Sequence, residues 1–161
     1  MKHKIIDNFL SKYDYNNIKE TLMGNQINWF YQKNVVSSNS LKDKYYFTHM
    51  FFDTIVGRSN YFPLIESLIP LIDSKFLVRV KGNMYPNTNK IFEHDQHVDY
   101  EFKTKGFIYY VNTNDGYTKL NDGTKIESIA NRGLFFDPSL KHNSSTCTGD
   151  EPRINININY L

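Results

Sequence analysis

The chain is poor in cysteine: of 161 residues only Cys147 carries a thiol. One thiol closes no internal disulfide and builds no Cys-rich zinc site. A reducing compartment is therefore expected. The stretch Met1-Lys2-His3-Lys4-Ile5-Ile6-Asp7 lacks the long apolar region of a secretory signal, so the expected location is cytoplasmic. No apolar run approaches the ~20 residues of a membrane span, and no membrane partner is expected. An excess of one charge is also missing. Nineteen Lys and Arg face 17 Asp and Glu, for a net +2, and the lysines are scattered. A nucleic-acid partner would call for a basic stripe, so none is indicated. Neither an internal repeat nor a linker interrupts the chain, and residues 1–161 read as a single domain.

What is present is apolar and aromatic. Hydrophobic residues make up 40%, and Tyr and Phe number 12 each. That composition gives a globular chain rich in β structure, with an aromatic-walled pocket. In residues 1–75, Ser11 caps a helix carrying Tyr15, Ile18 and Leu22, and Gly24 ends it. A second apolar helical face runs through Leu64, Ile65, Leu68, Ile69 and Ile72. Pro63 suits its first turn, and Pro70 should kink or shorten it. Strands are expected at residues 4–9, 27–32 and 45–52, with a polar loop at 36–44. From residue 76 the period shortens to two. Strands are expected at 76–81, 107–111, 117–120, 125–129, 133–137 and 153–161, with Asn114-Asp115-Gly116 and Asn121-Asp122-Gly123 as turns. Helices first and many short strands afterwards predict a mainly β (α+β) fold. The expected architecture is a jelly roll over 76–161, backed by N-terminal helices.

Chemistry concentrates at Glu93-His94-Asp95-Gln96-His97-Val98-Asp99. On a strand, His97 and Asp99 would share a face, about 7 Å apart. An imidazole and a carboxylate can then converge on one ion, while His94 faces the other way. A third ligand must come from elsewhere, and His142 follows the apolar run Leu134-Phe135-Phe136. Two His and one carboxylate on one octahedral face suit non-haem Fe(II), with positions left for O2 and a chelating cosubstrate. His-x-Asp alone is a weak signal. The order His97-x-Asp99, His142, then Arg153 opening an alternating strand is a stronger one.

That last strand has Ile154, Ile156 and Ile158 on one face and Arg153, Asn155, Asn157 and Asn159 on the other. Either the polar face meets solvent, or Arg153 points into the barrel and requires an anion there. A ligand carboxylate held bidentately would satisfy a buried guanidinium.

These residues resemble the Fe(II)/2-oxoglutarate-dependent dioxygenases, and within them the prolyl-4-hydroxylase-like group with its small phage and bacterial members. The matching motifs are His97-Val98-Asp99, Phe107-Ile108-Tyr109-Tyr110-Val111-Asn112, Gly116, the Asp122-Gly123 turn, Leu134-Phe135-Phe136-Asp137, His142 and Arg153. They cover residues 79–160. The resemblance implies a double-stranded β-helix (a cupin-like barrel) with Fe(II) held by His97, Asp99 and His142. Arg153 would pair with the C5 carboxylate of 2-oxoglutarate. Tyr110, the second Tyr of an Ile-Tyr-Tyr-Leu-Asn-like pattern, would bond the same carboxylate. Tyr85, in Tyr85-Pro86, would reach the cosubstrate from the other side, and Asn155 would be an auxiliary contact where plant-type members carry Ser. Lys is frequent at the Arg153 position in collagen-type enzymes, so Arg153 points away from that subtype. The gap between His142 and Arg153 is slightly long, and 143–152 should bulge or turn.

The implied activity is hydroxylation of a C–H bond, coupled to conversion of 2-oxoglutarate and O2 to succinate and CO2. No side chain is required as nucleophile or acid beyond the metal ligands. The substrate is a peptide, with prolyl 4-hydroxylation as one reading, or a small molecule or modified base. Its selection is expected to lie in loops such as 36–44 and 86–90. The alternative is a non-catalytic jelly-roll module binding a metal or small ligand. Oligomeric state is not legible. For other residues plainer roles are expected: packing for Tyr109, His49 and Cys147, a carboxylate partner for Arg79, and turns for Asn112 and Asn131. Asp95 either orients a ligand or faces solvent.

Overall fold

The computed structural model describes residues 3–35, 45–55 and 57–161. The loop expected at 36–44 lies outside the described residues. Chain order is β1 (Lys4–Ile6), α1 (Lys12–Met23), β2 (Phe30–Gln32), β3 (Tyr46–Asp53), β4 (Gly57–Arg58), a 3₁₀ helix (Phe62–Ile72) and β5 (Leu77–Tyr85). Then come β6 (Lys105–Tyr110), β7 (Tyr117–Lys119), β8 (Lys125–Glu127), β9 (Arg132–Phe136), β10 (Asn143–Ser144) and β11 (Arg153–Tyr160). The larger sheet runs β1-β9-β6-β11-β5-β3-β2, with β4 on β3, and the smaller runs β10-β7-β8. Every strand pairing is antiparallel. This is the expected mainly β jelly roll.

The α1 helix starts where Ser11 Oγ accepts the Asp14 amide at 3.2 Å, satisfying one of the free donors of the first turn. Ile18 and Leu22 are its buried residues. Gly24 ends it for steric reasons rather than by a left-handed turn. Its φ is −87°, and a Cβ there would lie 2.6 Å from Glu20 O.

The second helix departs from expectation, being 3₁₀ rather than α. Its buried residues Phe62, Ile65, Leu68 and Ile72 recur every three or four positions, close to the three residues per turn of that form. Pro70 has no N–H, and in an α-helix its ring would press on the carbonyl four residues back.

The outer face of the larger sheet is apolar. Ile154, Ile156 and Ile158 of β11 join Ile18 and Leu22 of α1 and Ile65 and Leu68 of the 3₁₀ helix in one buried cluster. Between the sheets the lining divides. Ile108, Tyr110, Leu120, Ile126, Leu134 and Phe136 form a second apolar cluster. Beside it β11 turns Arg153, Asn155, Asn157 and Asn159 inward, all buried. The inner face of β5 continues this polar wall, since the register sets Arg153 against Tyr85, Asn155 against Asn83, Asn157 against Lys81 and Asn159 against Arg79. The solvent-facing alternative for the Asn face is thereby excluded.

Candidate metal centre

Ligand atoms of His97, Asp99 and His142 all lie within 4.8 Å of one another. Nε2 of His97 stands 3.7 Å from Asp99 Oδ1, and Nε2 of His142 stands 3.8 Å from the same oxygen. The reason is not the one the spacing suggested. Residues 97–99 are not a continuous strand; only an isolated antiparallel bridge joins His97 to His142. The two residues exchange both backbone hydrogen bonds at 2.9 Å, and the Asp99 amide bonds Pro138 O at 3.0 Å. The pairing sets the imidazoles side by side, with ring centroids 4.6 Å apart.

Both rings are turned the right way for a ligand. His142 Nδ1 donates to Leu140 O at 3.0 Å, and His97 Nδ1 makes a longer contact of 3.5 Å with Asp95 O. A ring whose Nδ1–H is committed to a carbonyl presents the Nε2 lone pair to a metal. Asp95 meets the His97 ring through its backbone carbonyl. Burial lowers the His142 pKa, with Asp99 partly opposing it. Burial acts to raise that of Asp99, but His97, His142, Arg79 and Asn159 outweigh it and hold the carboxyl below its ordinary range. A neutral imidazole and an ionised carboxylate are the metal-binding forms.

The polar wall holds Asp99 from behind. Asn159 and Asn157 donate to Oδ2 at 2.8 and 3.2 Å. Arg79 Nη2 is 3.5 Å from Oδ1 and donates to Asn159 Oδ1 at 3.0 Å. The carboxylate partner expected for Arg79 is therefore Asp99.

Arg153 is fully buried, at 0% exposure. Its guanidinium donates to Ser128 Oγ at 2.8 Å and Thr118 Oγ1 at 3.1 Å, and more weakly to Ser145 O at 3.5 Å. It lies 5.1 Å from the Tyr85 ring centroid and 5.8 Å from that of Tyr110. Among the described residues no carboxylate is within ion-pair distance of it. Gly116 makes room for it, since a Cβ there would come within 2.6 Å of Arg153 Cδ and 2.7 Å of Thr146 O.

Tyr110 OH donates to Thr118 Oγ1 at 2.8 Å, and Asn83 Nδ2 to Asn155 Oδ1 at 3.0 Å. Burial raises the pKa of both Tyr85 and Tyr110, with Arg153 partly opposing it; both stay neutral donors. A cavity of about 30 Å³ is lined by His97 and His142 together with Tyr85, Asn155 and Thr118, among others. That is room for about one or two waters. A wider depression of about 350 Å³, lined by Phe136, Asp137 and Leu140 among others, reaches His142 from outside.

Thus His97, Asp99 and His142 are brought together, and Arg153, Tyr110, Tyr85 and Asn155 surround or line the space beyond. Sequence reasoning missed Thr118 and Ser128, ordinary hydroxyls in short strands and turns that carry no spacing signal. It also missed Asn157 and Asn159, whose alternation with Ile was visible but not its target. His94 lies in a loop and is buried, bonds Ser144 Oγ through Nδ1 at 2.8 Å, and packs 5.2 Å from the Tyr85 ring centroid. The expected loop at 86–90 is tied down by an Asn87–Cys147 bridge. Residues 143–152 begin with β10 before turning, which accounts for their length. Asn112 and Asn131 are clamps: Asn112 binds Pro152 O and the Ile154 amide, and Asn131 binds both backbone groups of Leu10.

No protein-family model and no curated protein matches the sequence. Solved structures do. A Trichoplax adhaerens prolyl hydroxylase, in complex with a peptide fragment of the hypoxia inducible factor oxygen degradation domain, is 16% identical with a TM-score of 0.67. The match covers 99% of this chain and 83% of that one. A 2OG-Fe(II) oxygenase family oxidoreductase from Burkholderia pseudomallei is 8% identical with a TM-score of 0.69, covering 98% and 84%. The non-heme alpha ketoglutarate dependent epimerase SnoN from nogalamycin biosynthesis is 11% identical with a TM-score of 0.67, covering 99% and 77%. At these identities the likeness is one of fold, and the chain has the double-stranded β-helix fold of the 2-oxoglutarate/Fe(II) oxygenases.

Proposed function

We propose that this protein is an Fe(II)- and 2-oxoglutarate-dependent dioxygenase, with residues 1–161 acting as one domain. The observation that carries the reading is Arg153: a fully buried cation with no acidic partner among the described residues, beside a cavity lined by two of the three candidate metal ligands. Burying an unpaired guanidinium is costly, and a ligand carboxylate would offset that cost. The donor set at the other end fits the metal: two imidazoles and one carboxylate suit Fe(II) and leave coordination positions open.

In this reading His97, Asp99 and His142 hold the iron. Arg153 and Tyr110 grip the far carboxylate of 2-oxoglutarate, while Tyr85 and Asn155 flank its body. With O2, the iron and cosubstrate supply the oxidising chemistry that hydroxylates a C–H bond and yields succinate and CO2. The protein's part is positioning and dryness. Asn157 and Asn159 fix Asp99, and Ile108 helps keep the chamber free of bulk water. No side chain need act as acid or base.

The finer reading is hydroxylation of a prolyl residue in a peptide. It is supported by the prolyl hydroxylase neighbour that holds a peptide, while the epimerase neighbour shows that the fold is not confined to one reaction. The test is succinate release with Fe(II), 2-oxoglutarate and O2 while proline-containing peptides and small molecules are screened by mass for an added oxygen. Slow succinate release, accelerated by at least one oxygen-gaining substrate, is expected. No succinate at saturating iron and cosubstrate would contradict the assignment.

A further inference from the structure

The inner face of β5 carries a second cation without a counter-ion among the described residues. Lys81 lies between Arg79, which faces Asp99, and Asn83, which faces Asn155. Its register partner on β11 is Asn157, one of the two amides holding Asp99. Lys81 is therefore level with the metal ligands rather than with Arg153. Its ammonium sits 5.6 Å from the Tyr46 ring centroid, and Tyr46 stacks on Tyr85 at 5.6 Å. Among the described residues no carboxylate is within ion-pair distance of it. The nearest acid along this wall, Asp99, is already engaged by Arg79, Asn157 and Asn159. Asp53, which pairs with Arg79 across β3, has its Oδ1 on the Ile55 amide at 2.8 Å.

We propose that Lys81 is an anion subsite for the molecule to be oxidised, receiving a substrate carboxylate beside the metal ligands. The proposal rests on the dioxygenase reading. Charge supports it: among the described residues along this wall Arg79, Lys81 and Arg153 stand against Asp99 and, beside Arg79, Asp53, an excess of one positive charge. A divalent metal and a doubly charged 2-oxoglutarate offset each other and leave that excess in place.

Position favours the substrate over the cosubstrate. Arg153, at 0% exposure, takes the far carboxylate deep in the fold, and the near carboxylate goes to the metal. Lys81 instead pairs across β3 with Met50, which is 36% exposed, so its side of the chamber opens outward. Lys81 is half-buried; burial, aided by Arg79, lowers its pKa to about 8, which leaves it charged at neutral pH and partly dehydrated. A partly dehydrated ammonium binds a carboxylate more strongly than a fully solvated one does.

The test uses the full chain loaded with Zn(II) and 2-oxoglutarate, so that nothing turns over. The probes are the proteinogenic L-amino acids paired with their primary amides, and N-acetyl dipeptides with a free or amidated C-terminus. Binding is read by calorimetry. At least one free acid should bind about tenfold or more tightly than its amide. Free amino acids and peptide carboxylates are told apart by which series shows the preference. Lys81→Met should erase the preference while leaving 2-oxoglutarate affinity within about twofold, and Lys81→Arg should retain it. An unchanged unfolding midpoint controls for folding. If amides bind as well as acids throughout, or the preference survives Lys81→Met, the proposal is overturned. It is equally overturned if Lys81→Met costs 2-oxoglutarate affinity instead. Failure of the wild-type chain to take up Zn(II) and 2-oxoglutarate, read first, would overturn the dioxygenase reading and the subsite with it.

Discussion

Asn159 donates its side-chain amide to Asp99 Oδ2 at 2.8 Å, across 60 residues of chain. Asn157 adds a second donor to the same oxygen. Oδ2 is thereby occupied from the sheet side, and Oδ1 is the atom left facing both imidazoles. In the proposed centre the pair would set Asp99 up as a one-oxygen ligand. Replacing Asn159 by Leu should lower Fe(II) affinity by about 10- to 100-fold, the usual cost of losing an outer partner of a metal ligand. Anaerobic Fe(II) titration checks this; unchanged affinity would mean the hydrogen bond does not orient the ligand.

Arg153→Met makes a two-sided test. Removal of a buried cation without an acidic partner should leave the ligand-free protein as stable as before, or more so. The affinity for 2-oxoglutarate should meanwhile fall by about 30-fold or more, with Fe(II) binding retained. Chemical unfolding and cosubstrate titration read the two effects separately.

Gly116→Ala should reach the same guanidinium indirectly. The new Cβ would press on Arg153 Cδ and on a backbone oxygen that cannot swing away. Overpacking of this kind costs about 1–3 kcal/mol, and displacement of Arg153 should weaken 2-oxoglutarate binding as well. An unfolding curve and a cosubstrate titration on the variant check both.

The sequence made some of this legible and hid the rest for identifiable reasons. The strand alternation in 153–159 exposed a face too polar for a core, and chemistry-bearing residues in a fixed order pointed to one centre. The geometry behind the centre was misread. His97 meets His142 through an isolated bridge while the Asp99 amide is held by Pro138 O, and a bridge between residues 45 apart leaves no local periodicity. The 3₁₀ helix was hidden because Leu64 and Ile69 complete an α-like stripe that the fold does not fully bury. The hydroxyls on Arg153 come from turns and short strands, where Ser and Thr are ordinary.

Glu93 anchors the segment that leads to His97. It accepts from Tyr117 OH at 2.6 Å and Lys119 Nζ at 2.9 Å, and lies 3.4 Å from Lys125 Nζ. The Tyr117 hydrogen bond, then Lys119, lowers its pKa from 4.5 to about 2. A depressed folded-state pKa means the contribution is fully present above about pH 4.5 and is lost as pH falls towards 2. Because the side chain is 36% exposed, solvent screening keeps the effect below about 1 kcal/mol. Glu93→Gln should therefore destabilise at pH 7 by that small amount, and the gap to wild type should narrow steadily in urea unfolding as pH is lowered from about 4.5 towards 2.

The central claim is that one ferrous ion and one 2-oxoglutarate share a centre built by His97, Asp99 and His142. Its most direct test is anaerobic optical titration of the wild-type protein with both added. A weak visible absorption band is predicted, present only when iron and cosubstrate are together and absent in His97→Ala. No band at saturating concentrations of both, or a band unaltered in His97→Ala, would contradict it.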